Sequence, residues 1–182
     1  MKAIIAGIPG AGKTTILNEV VRKCNIKVIN YGDVMFEIAK KDGIVNNRDE
    51  LRKLPFEKQK ELQKKAAEII SKEENIIIDT HCTIKTSYGY MAGLPYDILK
   101  VLKPDRIILI EAEPKEIIKR RNKDKEIRIR DIESMEEIEL HQEMNRMSAM
   151  SCASFINATV KIIKNKEGKI KEAVEEILKV LI

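Results

Sequence analysis

The chain of 182 residues is long enough for one domain with its own core and short for two independent ones. Its 43% hydrophobic and 35% charged residues are those of a soluble globular protein, and no apolar run reaches the ~18 residues that a membrane span requires. The net charge of +5 suits phosphorylated small molecules as well as nucleic acid, but with no Trp, three Phe and four Tyr, scattered rather than interleaved with Lys and Arg, there is little material for stacking along a nucleic-acid strand.

At the N-terminus Lys2 leads into a strand-sized apolar segment that runs straight into glycines, which is not the layout of a secretory leader. The expected location is the cytoplasm. Strands are predicted at Ala3–Ala6, Lys27–Ile29, Asn75–Ile78, Arg106–Ile110 and Thr159–Ile163, each followed by a helix-like stretch. The helical patterns are Thr14–Lys23, Val34–Lys41, Phe56–Ser71, Tyr96–Leu102, Pro114–Asn122, Ser134–Phe155 and Lys169–Leu181. This alternation predicts an α/β fold with a parallel sheet flanked by helices in a single domain, residues 1–182. Two stretches read as insertions: residues 33–71, about forty residues where a simple crossover needs roughly a dozen, and the polar segment at about 122–131. Cys24, Cys82 and Cys152 lie far apart with no CxxC pair, so they read as reduced thiols and not as a zinc site or a disulfide framework.

Ligands of open α/β sheets lie beyond the carboxyl ends of the strands, which directs attention to Gly7–Thr15, Asn30–Asp33, Asp79–His81 and Glu111–Glu113. Gly7-Ile8-Pro9-Gly10-Ala11-Gly12-Lys13-Thr14 matches GxxxxGK[ST] between a predicted strand and a predicted helix. Its glycines let successive N–H groups turn toward phosphate oxygens, Lys13 would reach the β and γ phosphates, and the Thr14 hydroxyl would ligate Mg²⁺. The apolar run Asn75–Ile78 ends in Asp79, a carboxylate placed to hold Mg²⁺ opposite Thr14, partly through water.

Arg120, Arg121, Arg128 and Arg130 fall within a dozen residues and read as a lid over the donor nucleotide. Arg48 and Arg52, at i and i+4 in the longer insertion, suggest a second anion site for the acceptor. An alcohol acceptor needs a base, whereas a phosphate monoester does not, since its second pKa of about 6 leaves it dianionic near neutral pH. Asp33 is the obvious base candidate, and it also stands where an N-cap for Val34–Lys41 belongs. The arginine-rich, base-poor inventory favours a phosphate acceptor. His81, at the mouth of the site, reads as a hydrogen-bonding group toward substrate or toward structure.

These residues resemble the archaeal-type adenylate kinases nearly end to end. The segments that carry the resemblance are Gly7–Thr15, Asn30-Tyr31-Gly32-Asp33-Val34-Met35, Asp49–Leu54, Asp79-Thr80-His81, Gly89–Pro95 and Ala158–Ile163, with Asp79-Thr80-His81 and Gly93-Leu94-Pro95 the most particular. The resemblance implies a P-loop NTPase-type parallel five-stranded sheet, a helical insertion that binds the nucleoside monophosphate, a short lid, and the reaction of ATP with AMP to give two ADP with Mg²⁺. It further implies that Gly7, Ile8, Pro9, Gly10, Ala11, Gly12, Lys13, Thr14 and Thr15 hold ATP, with Arg120 stacked on the donor adenine. Tyr31, Gly32, Arg48, Arg52, Thr80, His81 and Gly93 fall on the AMP side, and Lys13, Arg120, Arg128 and Arg130 are the catalytic cations. A homotrimer is implied as well, in keeping with Met144, Met147 and Met150 on the long Ser134–Phe155 helix, which core packing explains equally well. The longer, sometimes zinc-binding lid of bacterial-type adenylate kinases is absent here. The competing readings are a kinase for another small acceptor, such as CMP or an alcohol, and a nucleic-acid-associated ATPase.

Overall fold

The computed structural model describes residues 1–51, 53–123 and 133–181. Five strands, β1 (Lys2–Ala6), β2 (Lys27–Asn30), β3 (Ile76–Asp79), β6 (Arg106–Glu111) and β7 (Thr159–Lys164), form one parallel sheet in the order β2-β3-β1-β6-β7. Parallel strands covered on both faces read as unbroken apolar runs, and Ile76–Ile78 and Ile107–Ile110 are such runs. Their alternating side chains feed two cores. Ile4, Ile76, Ile78, Ile107 and Leu109 pack on one face against helices α2 (Tyr31–Lys41), α4 (Phe56–Ile70), α5 (Tyr96–Leu102) and α7 (Met135–Ile156). Ile5, Ile77, Ile108 and Ile110 pack on the other against α1 (Lys13–Lys23), α6 (Pro114–Lys123) and α8 (Ile170–Leu181).

The chain leaves β1 toward β2 on one side, and after β3 it passes to β6 on the other. The tips of the adjacent strands β1 and β3 therefore flank a topological switch point, where open sheets of this kind leave a crevice. The glycine loop follows β1 and Asp79 ends β3, so the topology brings the two together.

Each of the five expected strands is present within a residue or two, but three local expectations fail. First, β3 is followed not by a helix but by an antiparallel hairpin, β4 (Thr83–Thr86) with β5 (Gly89–Ala92). Its four-residue strands give too little alternation to stand out, and the turn is set by Gly89 at φ 117° with the Thr86 hydroxyl donating to the Gly89 carbonyl. Second, a short helix, α3 (Arg48–Leu51), interrupts the long insertion. Third, α2 begins at Tyr31, three residues earlier than Val34, and its cap is Asn30, whose side chain accepts a hydrogen bond from the Asp33 amide. Asp33 is thus not the N-cap; it lies in the first turn, where its charge favours the helix dipole.

The hairpin returns tightly onto its own start. The Gly93 amide donates to the Cys82 carbonyl at 2.8 Å, and a Cβ at Gly93 would lie 2.1 Å from the His81 carbonyl oxygen. Only glycine fits that crossing without moving backbone. Gly93→Ala is therefore expected to cost roughly 1–3 kcal/mol, a loss of several degrees in Tm by calorimetry; an unchanged Tm would show that the two segments do not cross as described.

Candidate active site

The loop that opens α1 is set by Gly12, which stands in the left-handed region at φ 89° and ψ 18°. A Cβ there would be strained and would also come within 2.2 Å of the Asn165 Nδ2. Ile8 and Ala11 are buried anchors, while Pro9, Thr14 and Thr15 are exposed. Gly12, the N-cap of α1, has no side chain to cap it, among the described residues no side-chain cap bond is made there, and the first turn of α1 carries no acidic residue. The N–H groups of its first turn and its dipole thus suit this end of the helix to an anion.

Three side chains, two from α6 and one from the segment after β7, hold the loop's carbonyl oxygens. Arg121 Nε donates to Pro9 at 2.9 Å, Arg120 Nη1 to Ala11 at 3.1 Å and Asn165 Nδ2 to Ala11 at 2.8 Å. In a trans peptide the C=O and the following N–H point in opposite directions, so tying carbonyls down on one side turns the intervening amides to the other. Arg120 also reaches Glu116 and the Asn165 carbonyl, both at 3.1 Å, which places its guanidinium between the loop, α6 and the segment after β7. Arg121, expected as part of a lid, is instead buried beneath the loop and ion-paired with Glu133. Neither that role nor any for Asn165 is foreseen from sequence. Asn165 follows the fifth strand, and extending the rule about strand ends to β7 would have found it.

Lys13 Nζ contacts Asp79 Oδ1, and Asn30 Nδ2 donates to Asp79 Oδ2 at 2.8 Å. Each of the Lys13 and Asp79 side chains is 12% exposed. Burial lowers the Lys13 ammonium from its usual range to about 8, opposed by the nearby Cys82. Burial likewise pushes the Cys82 thiol up to about 12, so it remains protonated and is no nucleophile. The Asp79 carboxylate, which already holds a cation, and the exposed Thr14 that follows Lys13 are hard-oxygen donors of the kind that fits Mg²⁺ completed by phosphates and water. Among the described residues no group of three or more His, Cys, Asp or Glu could hold a metal by itself.

On the other side of Asn30, Arg48 pairs with Asp33 and donates to Asn30 Oδ1 at 3.3 Å. Gly32 lies beneath this contact, where a Cβ would come within 2.9 Å of Arg48 Nη2. Tyr31 turns its side chain inward, with its hydroxyl donating to the Gln63 carbonyl and its pKa raised by burial. Thr80 is buried, its amide continuing the ladder to Ile5 at 3.1 Å, and His81 is exposed with its carbonyl against Gly93. Arg52, Arg128 and Arg130 lie outside the described residues.

A glycine loop whose lysine meets a carboxylate from the neighbouring strand, at the switch point of a five-stranded parallel sheet, defines the P-loop phosphotransferase class. The family model described as AAA domain matches residues 6–139. The chain is similar to the adenylate kinase of Methanopyrus kandleri, 53% identical over 96% of this chain and 94% of that protein. It is similar also to those of Methanothermobacter thermautotrophicus, 50% identical over 98% and 97%, and Thermoplasma volcanium, 49% identical over 100% and 99%. Among solved structures, shikimate kinases from Acinetobacter baumannii and Aquifex aeolicus share the fold. Their TM-scores are 0.62 and 0.59 at 14% and 20% identity, covering 99% and 100% of this chain and 92% and 96% of theirs. The chain belongs to the adenylate kinase family.

If Lys13 binds phosphate it must do so charged, and its lowered pKa sets the pH at which that charge is lost. kcat/KM for ATP is expected to fall about tenfold per pH unit above about 8, whereas kcat holds to higher pH because bound phosphates stabilise the ammonium. A flat kcat/KM profile to pH 10 would show that Lys13 does not carry this ionisation.

Proposed function

We propose that the chain transfers the γ-phosphoryl group of ATP to the phosphate of AMP, reversibly, giving two ADP. A phosphate oxygen of AMP attacks the γ-phosphorus in line, the bond from that phosphorus to the β–γ bridging oxygen breaks, and ADP leaves on the donor side. The acceptor oxygen carries no proton, so the protein's work is positioning and charge stabilisation. The observation that carries the reading is the double engagement of Asp79, which meets the loop lysine on one oxygen and, through Asn30, the Arg48 corner on the other. Donor-side and acceptor-side groups thus belong to one connected set.

In this reading the amides of Gly7, Ile8, Pro9, Gly10, Ala11, Gly12, Lys13, Thr14 and Thr15 cradle the ATP phosphates, and the Lys13 ammonium leaves Asp79 for the β and γ oxygens. Arg120 covers the donor base, and Arg128 and Arg130 bring further charge to the transferring group. Arg48 and Arg52 hold the AMP phosphate. Gly32, Thr80, His81 and Gly93 line the acceptor side, to which Tyr31 gives backbone. Thr14 and Asp79 would hold Mg²⁺, which when bound would supply positive charge to the phosphates of the donor. Asp33 is ion-paired with Arg48, which suits it to orient that guanidinium and not to deprotonate an alcohol. The whole chain is one kinase domain, with the acceptor insertion at about 33–71 and the lid at about 122–131, and it acts in the cytoplasm. Among the described residues no helix is long and apolar enough to cross a membrane.

The direct test mixes the protein with MgATP and each of AMP, CMP, UMP and GMP and measures nucleoside diphosphate. AMP is expected to be the preferred acceptor, and Lys13→Ala to lower kcat by about 10²-fold or more while circular dichroism shows the fold retained. Full activity in that variant would refute the site. We further propose a homotrimer, supported by Leu140, Met147 and Met150, which α7 leaves 48%, 64% and 60% exposed. Sedimentation is expected to give a mass near three chains; a mass near one chain would refute the assembly.

A further inference from the structure

Asn30 ends β2 and caps α2, which would suffice to explain an asparagine there. Its amide nevertheless faces three ways. Oδ1 accepts from the Asp33 amide at 3.0 Å and from Arg48 Nη2 at 3.3 Å, while Nδ2 donates to Asp79 Oδ2 at 2.8 Å. These partners fix the amide's orientation: turned over, it would set its NH₂ against an N–H and a guanidinium, and its oxygen against a carboxylate. Asn30 and Asp79 are also register partners across β2 and β3, so the sheet itself places the two side chains together.

We propose that Asn30 is a positioning residue of the phosphoryl-transfer centre, whose amide fixes Asp79 on the donor side and seats Arg48 on the acceptor side. The inference rests on the reading of those residues as ATP-side and AMP-side groups. With Lys13 on one Asp79 oxygen and Asn30 on the other, the carboxylate plane is held at two points. Gly32 keeps the Arg48 end close, since a Cβ there would stand 3.3 Å from Asn30 Oδ1 and nearer still to the guanidinium. One planar amide thus spans both halves of the site, and its length sets their separation.

Two substitutions separate this role from capping, because Asp and Ser both cap helices about as well as Asn. Asn30→Asp keeps an acceptor for Arg48 and for the Asp33 amide, but it loses the donor to Asp79 and sets a like charge against it. Asn30→Ser keeps a cap and is too short to serve both partners. Steady-state kinetics, calorimetric titration with AMP alone, free of metal and ATP, and thermal melts are measured on each. Both variants are expected to keep the Tm within a few degrees and to lose roughly 10- to 100-fold in kcat. AMP affinity is expected to stay near that of the unmodified protein in Asn30→Asp and to weaken roughly threefold to tenfold in Asn30→Ser. Unchanged kcat in Asn30→Asp, or equal AMP affinities in the two variants, would overturn the proposal and leave Asn30 a cap. If the unmodified protein itself bound no AMP, the reading of the site would fall, and this inference with it.

Discussion

The structure is organised around a contact between opposite charges beyond the tips of two neighbouring strands, Lys13 at the start of α1, after the glycine loop that follows β1, and Asp79 at the end of β3. Neither charge is stable alone at such low exposure, since burying an unpaired ion costs several kcal/mol. Together they satisfy one another, and Asn30 completes the carboxylate's hydrogen bonding. On the proposed reading, ATP replaces one member of this pair by offering the ammonium a phosphate in exchange for a carboxylate. On that reading the ion pair both satisfies two buried charges and is the contact that the donor nucleotide must displace.

The rest of the fold fixes where that contact lies. Strand order sends the connections of β1 and β3 in opposite directions and leaves the crevice between their tips. Buried isoleucines on both faces of the sheet hold the register that sets Asn30 and Ile5 beside Asp79. Around the loop, Arg121, Arg120 and Asn165 restrain carbonyls, so the amides opposite them are oriented before any phosphate arrives. Groups oriented in advance need no reorganisation during reaction, and this kind of electrostatic stabilisation is among the larger contributions an enzyme makes.

What could be read from sequence follows from how local each signal is. The glycine loop is contiguous and its conformation is forced by residue type, and the strands announce themselves as apolar runs, so both are legible in the sequence to within a residue or two. Asn165 and Arg121 act through contacts 154 and 112 residues away in sequence, to Ala11 and Pro9, and nothing nearby marks them. Asp33 reads as a cap because it directly precedes the Val34–Lys41 pattern; only the fold reveals that α2 starts three residues earlier, with Asn30 accepting from the Asp33 amide. The hairpin after β3 is not legible in the sequence because strands of four residues carry little periodicity, although Gly93, just past it, falls in a segment that carries the family resemblance.

Net charge conceals how these cations are prepared. The chain carries +5, yet within the site Lys13, Arg48, Arg120 and Arg121 each have an acidic partner. The partners differ in how readily they can be given up. Arg121 and Glu133 are 9% and 10% exposed, and separating them would strand two buried charges, so that pair acts as fixed structure beneath the loop. Arg48 and Asp33 are 52% and 58% exposed, where solvent screens the pair and parting them costs little. Exposure thus separates a cation that braces the glycine loop from one that, on the proposed reading, changes partners when an acceptor phosphate arrives. Asn30, bonded to the exchangeable arginine at one end and the buried carboxylate at the other, lies where these two behaviours meet.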